Sequence, residues 1–111
     1  MLPKKQRVTK KLFDQVYTLG KSFHTPYFFM KVLKTGKTEQ NRASVVVSKK
    51  VAKKAHDRNK IKRRTLSVVR SYIKDKKNGL QIVVFMKKGA DSITFRDLKK
   101  EINAIWGKIM Q

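Results

Sequence analysis

Residues 42–86 read RASVVVSKKVAKKAHDRNKIKRRTLSVVRSYIKDKKNGLQIVVFM, and this stretch decides the fold. Its first part, residues 42–48, is rich in β-branched side chains and predicts a strand. Residues 58–74 carry apolar side chains at helical spacing, and residues 80–86 form an apolar run typical of a central strand. A strand–helix–strand unit of this kind predicts a sheet with helices packed on it.

The sequence on the N-terminal side predicts a helix followed by extended chain. Thr9 is a suitable N-cap for a helix with an apolar stripe, and Gly20 is suited to its end. Residues 27–34 alternate between two faces and predict a strand, with room for a short extra strand near residues 22–25. We expect the strands at residues 27–34 and 42–48 to pair as a hairpin across the polar turn between them.

The sequence on the C-terminal side predicts one more helix. Asn78 and Gly79 are expected to end the middle helix, and Asp57 is expected to cap its start. Thr94 and Asp97 then resemble a capping box. The helix that follows carries on one face the apolar residues Phe95, Leu98, Ile102, Ile105, Trp106 and Ile109. The predicted order is α-β-β-α-β-α.

The composition narrows the class of protein. The 111 residues suit one domain. With 29 Lys and Arg against 7 Asp and Glu, the net charge is +22. We therefore expect an acidic partner, and nucleic acid is the first candidate. The chain has no cysteine, which excludes disulfides, thiolate zinc sites and cysteine nucleophiles, and its 2 histidines are too few for a histidine-built metal site. No apolar run approaches the roughly 20 residues of a membrane span, and we expect a cytoplasmic protein.

The cations are concentrated in residues 48–64, where the only acid is Asp57. Many charge runs are simply solvated helix faces. Here, however, the cations lie in the first turns of a helix. Each exposed cation there lowers the stability of the helix by about 0.3–1 kcal/mol, because the N-terminal end of the helix dipole is positive. On a helical wheel Arg58 and Lys62 also share the inward face with Ile61. We therefore expect this helix end to line a groove at the edge of the core, suited to a phosphate backbone.

A second feature is the mixing of aromatic residues with lysine. Phe13 and Tyr17 share a helix face, and Phe29 alternates with Lys31 on a strand, so these residues either belong to the core or form a stacking platform for unpaired bases. Lysines outnumber arginines, which favours neutralisation of the phosphate backbone over base readout. The carboxylates are scattered and no base–nucleophile set is evident, so we expect no active site within this chain.

The segment Arg58-Asn59-Lys60-Ile61-Lys62-Arg63, with its lead-in Ser48-Lys49-Lys50 and Ala55-His56-Asp57, resembles the signature of the bacterial ribonuclease P protein subunit. The resemblance spans nearly the whole chain. It implies an α+β sandwich of order α-β-β-β-α-β-α, similar to the second domain of ribosomal protein S5, with a left-handed β-α-β crossover. It also implies ribonuclease P RNA as partner, a catalytic RNA that uses Mg²⁺ to remove the 5′ leader of precursor tRNA.

The resemblance also implies where RNA is bound. The signature helix and its lead-in loop are expected to bind RNA through Lys49, Lys50, Lys53, Lys54, His56, Arg58, Asn59, Lys60, Lys62, Arg63 and Arg64. The cleft for the single-stranded leader is expected at Phe13, Tyr17, Phe29, Lys31 and Val46. We expect one RNA-binding domain over residues 1–111, with residues 1–8 as a flexible arm, and further basic contacts at Lys4, Lys5, Arg7, Lys10 and Lys11. We expect no catalytic residue, bound metal, membrane contact or required protein partner.

Two other classes share the charge and size. A structural ribosomal protein would bind folded rRNA and have no substrate, and the aromatic–lysine cleft and the signature segment argue against it. An architectural DNA-binding protein would be expected to have more than the 7 arginines found here and a dimer interface. Co-purification with ribosomal subunits or with a free catalytic RNA separates the first alternative from the family prediction.

Overall fold

The computed structural model describes residues 7–36, 40–74 and 78–110. In chain order its elements are α1 (Lys10–Leu19), β1 (Lys21–His24), β2 (Phe28–Lys34), β3 (Arg42–Val46), α2 (Ala55–Ile73), β4 (Leu80–Met86), a 3₁₀ turn (Ala90–Ser92) and α3 (Phe95–Ile109). The short extra strand predicted near residues 22–25 is β1. Its presence gives the α-β-β-β-α-β-α order that the resemblance implied.

The four strands form one mixed sheet in the order β1-β2-β4-β3. β1 pairs with β2 and β2 pairs with β4 in antiparallel fashion, whereas β3 and β4 are parallel and are joined by α2 as a crossover. The predicted hairpin between residues 27–34 and 42–48 is therefore wrong, because β4 lies between those strands. The apolar side chains of β4 are buried on both faces of the sheet. This burial agrees with the central position of the strand, between β2 and β3.

The two sheet faces have different partners. On one face Met30 and Val45 flank Val84 in register, and these side chains join the main core with the buried faces of α2 and α3. On the other face α1 packs across β2 and β4, where Val16 and Val83 are fully buried. This second face is the one that carries the predicted cleft residues.

The helix ends were largely predicted. The hydroxyl oxygens of Thr9 and Thr94 accept hydrogen bonds from the first turns of α1 and α3, as expected for N-caps. Asp57 is not the cap of α2, which begins at Ala55, so the carboxylate lies within the first turn, where it still complements the helix dipole. Gly20 ends α1 with an ordinary negative φ, and the glycine is required because a Cβ would lie 2.4 Å from the carbonyl oxygen of Val16.

A buried amide joins the crossover helix to the sheet. Asn41 is fully buried; its Oδ1 accepts from the backbone N–H of Leu80 at 2.9 Å, and its Nδ2 donates to the carbonyl of Ile73 at 3.4 Å. Gly79 precedes Leu80 with φ of +70°, and its carbonyl accepts the N–H of Thr35 at 2.7 Å. These contacts fix where α2 ends and where β4 begins.

The predicted arm is only partly within the described residues. Residues 1–6, and with them Lys4 and Lys5, lie outside. Arg7 forms a parallel bridge with Ala43, so the end of the arm lies along β3, the last strand in the order of the sheet. Lys10 and Lys11 belong to the first turn of α1 and are exposed there.

Candidate nucleic-acid interface

The start of α2 is joined to its lead-in loop by Arg58. The guanidinium Nη1 donates to the carbonyl of Ala52 at 3.1 Å and to that of Lys53 at 2.6 Å. Arg58 is half-buried, in agreement with the inward position that the helical wheel predicted. Its guanidinium, however, is bonded to the lead-in loop and does not line a groove. The hydrogen bonds of the Arg58 guanidinium thus also hold the loop that carries Lys49, Lys50 and Lys53.

Lys62 does not share the inward position of Arg58. Its side chain is exposed, whereas Ile61 and Thr65 are buried and occupy the packing face of the helix. The wheel placed Lys62 on this inward face, and that prediction is wrong. Lys62 lies at the margin of the buried face, and a long cationic side chain there extends outward because burial of an unpaired ammonium is costly.

Two grooves flank the start of α2. The first, the signature groove, has a volume of about 420 Å³ and is lined by His56, Asn59, Lys62, Arg63 and Leu66. A neighbouring hollow of about 180 Å³ shares Lys62 and Leu66 and continues to Arg7, Val8 and Ser44 at the edge of β3. Cations that are far apart in the sequence thus border one continuous surface.

The second groove, the lead-in groove, lies on the opposite flank of α2 and has a volume of about 610 Å³. Its polar and charged lining consists of Lys49, Lys50, Lys53, Asp57, Lys60, Arg64, Lys88 and Asp91. Sequence reasoning missed Lys88, which comes from the loop after β4. The predicted RNA-binding residues are therefore divided between two surfaces, with Arg58 between them and Lys54 exposed at the N-cap of α2.

The cleft residues surround one aromatic ring that sequence reasoning missed. Phe85 stacks on Phe29 at a centroid distance of 4.7 Å and receives the rings of Phe13 and Tyr17 edge-on at 5.8 and 5.7 Å. Val46 pairs with Phe85 in register from the other side, on the same sheet face. The structure thus brings Phe13, Tyr17, Phe29 and Val46 together.

Lys31 holds α1 against the sheet at the edge of this cluster. Its Nζ donates to the carbonyl of Tyr17 at 2.7 Å and lies 4.3 Å from the centroid of the Tyr17 ring. Tyr17 nevertheless remains 53% exposed. A cationic group and an exposed ring are therefore adjacent where α1 meets the sheet, an arrangement that suits a phosphate next to an unpaired base.

Over residues 7–36, 40–74 and 78–110, no three histidine, aspartate or glutamate side chains lie close enough together to hold a metal ion. None of the helices in that same part of the chain is long and apolar enough to cross a membrane.

Comparison with known proteins identifies the family. The family model described as Ribonuclease P matches residues 2–110. The ribonuclease P protein component of a Pseudanabaena species is 34% identical over 109 residues, which covers 97% of this chain and 94% of that protein. The corresponding component from Rickettsia canadensis is 35% identical over 105 residues, which covers 86% of this chain and 89% of the relative.

Solved structures agree with this fold. The RNase P protein from Staphylococcus aureus superposes with a TM-score of 0.81 at 24% identity, covering 97% of each chain. The protein from Thermotoga maritima superposes with a TM-score of 0.74 at 26% identity, covering 89% of this chain and 93% of that one. The family model and the two relatives decide against a structural ribosomal protein and an architectural DNA-binding protein. The chain belongs to the ribonuclease P protein family and is the protein subunit of that ribonucleoprotein endoribonuclease, with ribonuclease P RNA as its partner.

Proposed function

We propose that the two basic grooves of α2 bind the ribonuclease P RNA, while the aromatic cleft beneath α1 binds the single-stranded 5′ leader of precursor tRNA. The observation that carries this division of roles is the exposed Tyr17 ring beside Lys31, on the sheet face opposite the main core. An exposed ring with an adjacent cation suits unpaired nucleotides, because a base stacks on the ring and the cation holds the phosphate.

The grooves suit a different ligand. The signature groove and the lead-in groove are rich in lysine and arginine, and apart from the His56 imidazole their lining residues carry no aromatic ring. Such surfaces neutralise phosphates with little readout of bases. A large folded RNA offers several backbone segments close together, and grooves on both flanks of one helix can bind two of them.

The catalytic centre in this proposal lies in the RNA, which also holds the Mg²⁺ ions. This chain contributes cations that reduce the repulsion between two polyanions, catalytic RNA and precursor tRNA. Because Mg²⁺ screens the same repulsion, the protein is expected to lower the Mg²⁺ concentration that cleavage requires. It is also expected to lower the KM for a substrate with a leader, since the cleft adds contacts outside the tRNA body.

Cleavage of precursor tRNA by the protein alone, by a ribonuclease P RNA alone and by both together tests the proposal. We expect no cleavage with the protein alone, and cleavage at lower Mg²⁺ and lower KM with both components than with RNA alone. The proposal fails if the protein changes neither the Mg²⁺ requirement nor the KM.

The leader assignment has its own test. Tyr17→Ala should raise the KM for precursor tRNA several-fold and leave the affinity for mature tRNA unchanged, because mature tRNA lacks the leader. Phe95→Ala on α3 is a matched control, since Phe95 is also an exposed ring and the Nζ of Lys99 lies 4.7 Å from its centroid. An equal loss of affinity for both tRNA forms in the Tyr17 variant would contradict the leader assignment.

A further inference from the structure

Three rings stand side by side across three neighbouring strands. His24 of β1 pairs in register with Phe29 of β2, and Phe29 pairs with Phe85 of β4. The His24 and Phe29 rings are 5.4 Å apart with an interplanar angle of 25°, and the Phe29 and Phe85 rings are 4.7 Å apart at 9°. The three rings therefore form one stack that runs across the sheet from the cleft to the edge strand.

The order within this stack determines which ring face is available. Phe29 has His24 on one side and Phe85 on the other, so both of its faces are occupied. Phe85 is contacted edge-on by the rings of α1 at the inner end of the stack. His24 is exposed on the edge strand, and the described residues contribute no ring contact to it other than that of Phe29.

We propose that the outer face of His24 is a stacking position for an unpaired base of the leader, at the edge of β1 and beyond the cleft formed with α1. This inference rests on the proposed binding of the leader to this sheet face. A base at this position extends the aromatic stack by one member. Because every base has a π face, the contact tolerates any base and requires only that it be unpaired.

The position also suits the path of a single strand. Ser22, on the same strand and the same face as His24, pairs in register with Lys31. A leader that has one phosphate near Lys31 can thus reach the outer face of His24 by crossing β1, without leaving the sheet. His24 is not among the cleft residues that the family resemblance implies.

Abasic substitution along the leader tests this inference with the reconstituted holoenzyme. Each leader nucleotide in turn is replaced by an abasic one, and the dissociation constant of the precursor tRNA is measured. With the unaltered protein, we expect one leader position at which loss of the base weakens binding about five- to tenfold, the lower part of the range for base–aromatic stacking. With His24→Ala, the same abasic substitution should have no effect, whereas His24→Phe should restore it.

Ser22→Ala is the matched control, because Ser22 lies on the same strand and face without a ring. It should retain the full effect of the abasic substitution, and thermal melts should show that all three variants fold. If the sensitive leader position responds equally in the unaltered protein and in His24→Ala, the stacking position at His24 is refuted and leader binding stands. If removal of the whole leader leaves the affinity unchanged, leader binding itself is refuted, and the inference with it.

Discussion

The guanidinium of Arg58 donates a hydrogen bond to the backbone carbonyl of Lys53 at 2.6 Å. The residue that begins the family signature therefore holds the loop that precedes it. A guanidinium can bond to two carbonyls in one plane, and here it reaches the carbonyl of Ala52 as well. A lysine at position 58 would keep the charge and lose this geometry.

Arg58→Lys should consequently weaken RNA binding without changing the number of phosphate contacts. We expect the dissociation constant for ribonuclease P RNA to rise, and amide hydrogen exchange in residues 49–53 to quicken, while the slope of log affinity against log salt stays the same. Weaker RNA binding with unaltered exchange in residues 49–53 would show that Arg58 acts as a direct RNA ligand and not through the loop.

Lys62→Ala should change the salt dependence of RNA binding, whereas Arg58→Lys should leave it unchanged. Lys62 is exposed in the signature groove, so its loss should reduce the slope of log affinity against log salt by about 0.7–0.9, the value for one phosphate contact. Lys108→Ala in the last turn of α3 removes the same charge away from both grooves. Equal losses in the two variants would mean that total charge, and not its position, determines affinity.

Sulfate should stabilise the folded protein. The net charge is +22, and the cationic side chains repel one another in the compact state. An anion that binds only the folded surface reduces this repulsion and stabilises the folded state. At ten times its dissociation constant such an ion adds about 1.4 kcal/mol. In a domain of this size that raises Tm by about 5 °C. A Tm that is the same in sulfate and in chloride at constant ionic strength would contradict this prediction.

Asn41→Ala should lower the free energy of unfolding by about 1–3 kcal/mol, because it leaves the N–H of Leu80 buried without its acceptor. Asn103→Ala is a suitable comparison, because Asn103 accepts a hydrogen bond from the Tyr72 hydroxyl at 2.8 Å at an exposed position. One hydrogen bond typically contributes about 1 kcal/mol, and we expect the loss of this exposed one to lower the free energy of unfolding by less than about 1 kcal/mol. Urea denaturation of both variants measures the difference. Equal destabilisation of the two variants would show that the burial of Asn41 does not determine how much its loss lowers the free energy of unfolding.

Phe85→Ala should destabilise the protein by about 3 kcal/mol, as expected for removal of a large ring from a packed cluster. It should also loosen α1, since the rings of Phe13 and Tyr17 both rest on Phe85. Chemical denaturation gives the stability, and hydrogen exchange in α1 gives the local effect. Unchanged exchange in α1 would mean that the buried Val16 and the Lys31 hydrogen bond hold the helix in place without Phe85.

The local elements could be predicted because each carries its own pattern. The Thr9 and Thr94 caps, the alternation in β2 and the apolar run of β4 are visible within short windows of sequence. Strand pairing is not visible in this way. The two strands at residues 27–34 and 42–48 are neighbours in the sequence, and nothing local shows that a third strand, 80–86, separates them.

One missed site residue, Lys88, is placed by the parallel pairing of β3 and β4. Adjacent parallel strands end at the same edge of a sheet, so the loop after β4 lies beside the loop after β3. This is why Lys88 joins the lead-in groove with Lys49 and Lys53.

Phe85 and Asn41 were missed for another reason. β4 is apolar on both faces, so its composition does not distinguish Phe85, which faces the cleft, from Val84, which faces the main core. Asn41 sits in a polar stretch that resembles an ordinary turn, and only the tertiary structure shows that its amide is buried between α2 and β4. Both residues depend on contacts across the fold.

The central position of β4 also has a kinetic consequence during synthesis. β2 and β3 are made before β4, yet each pairs with β4 and not with the other, so the sheet remains incomplete until residues 80–86 have left the ribosome. The basic segment 48–64 emerges earlier, and at about 5–20 residues per second it precedes β4 by about a second or more. During that interval the nascent chain carries most of its RNA-binding charge without the fold that positions it.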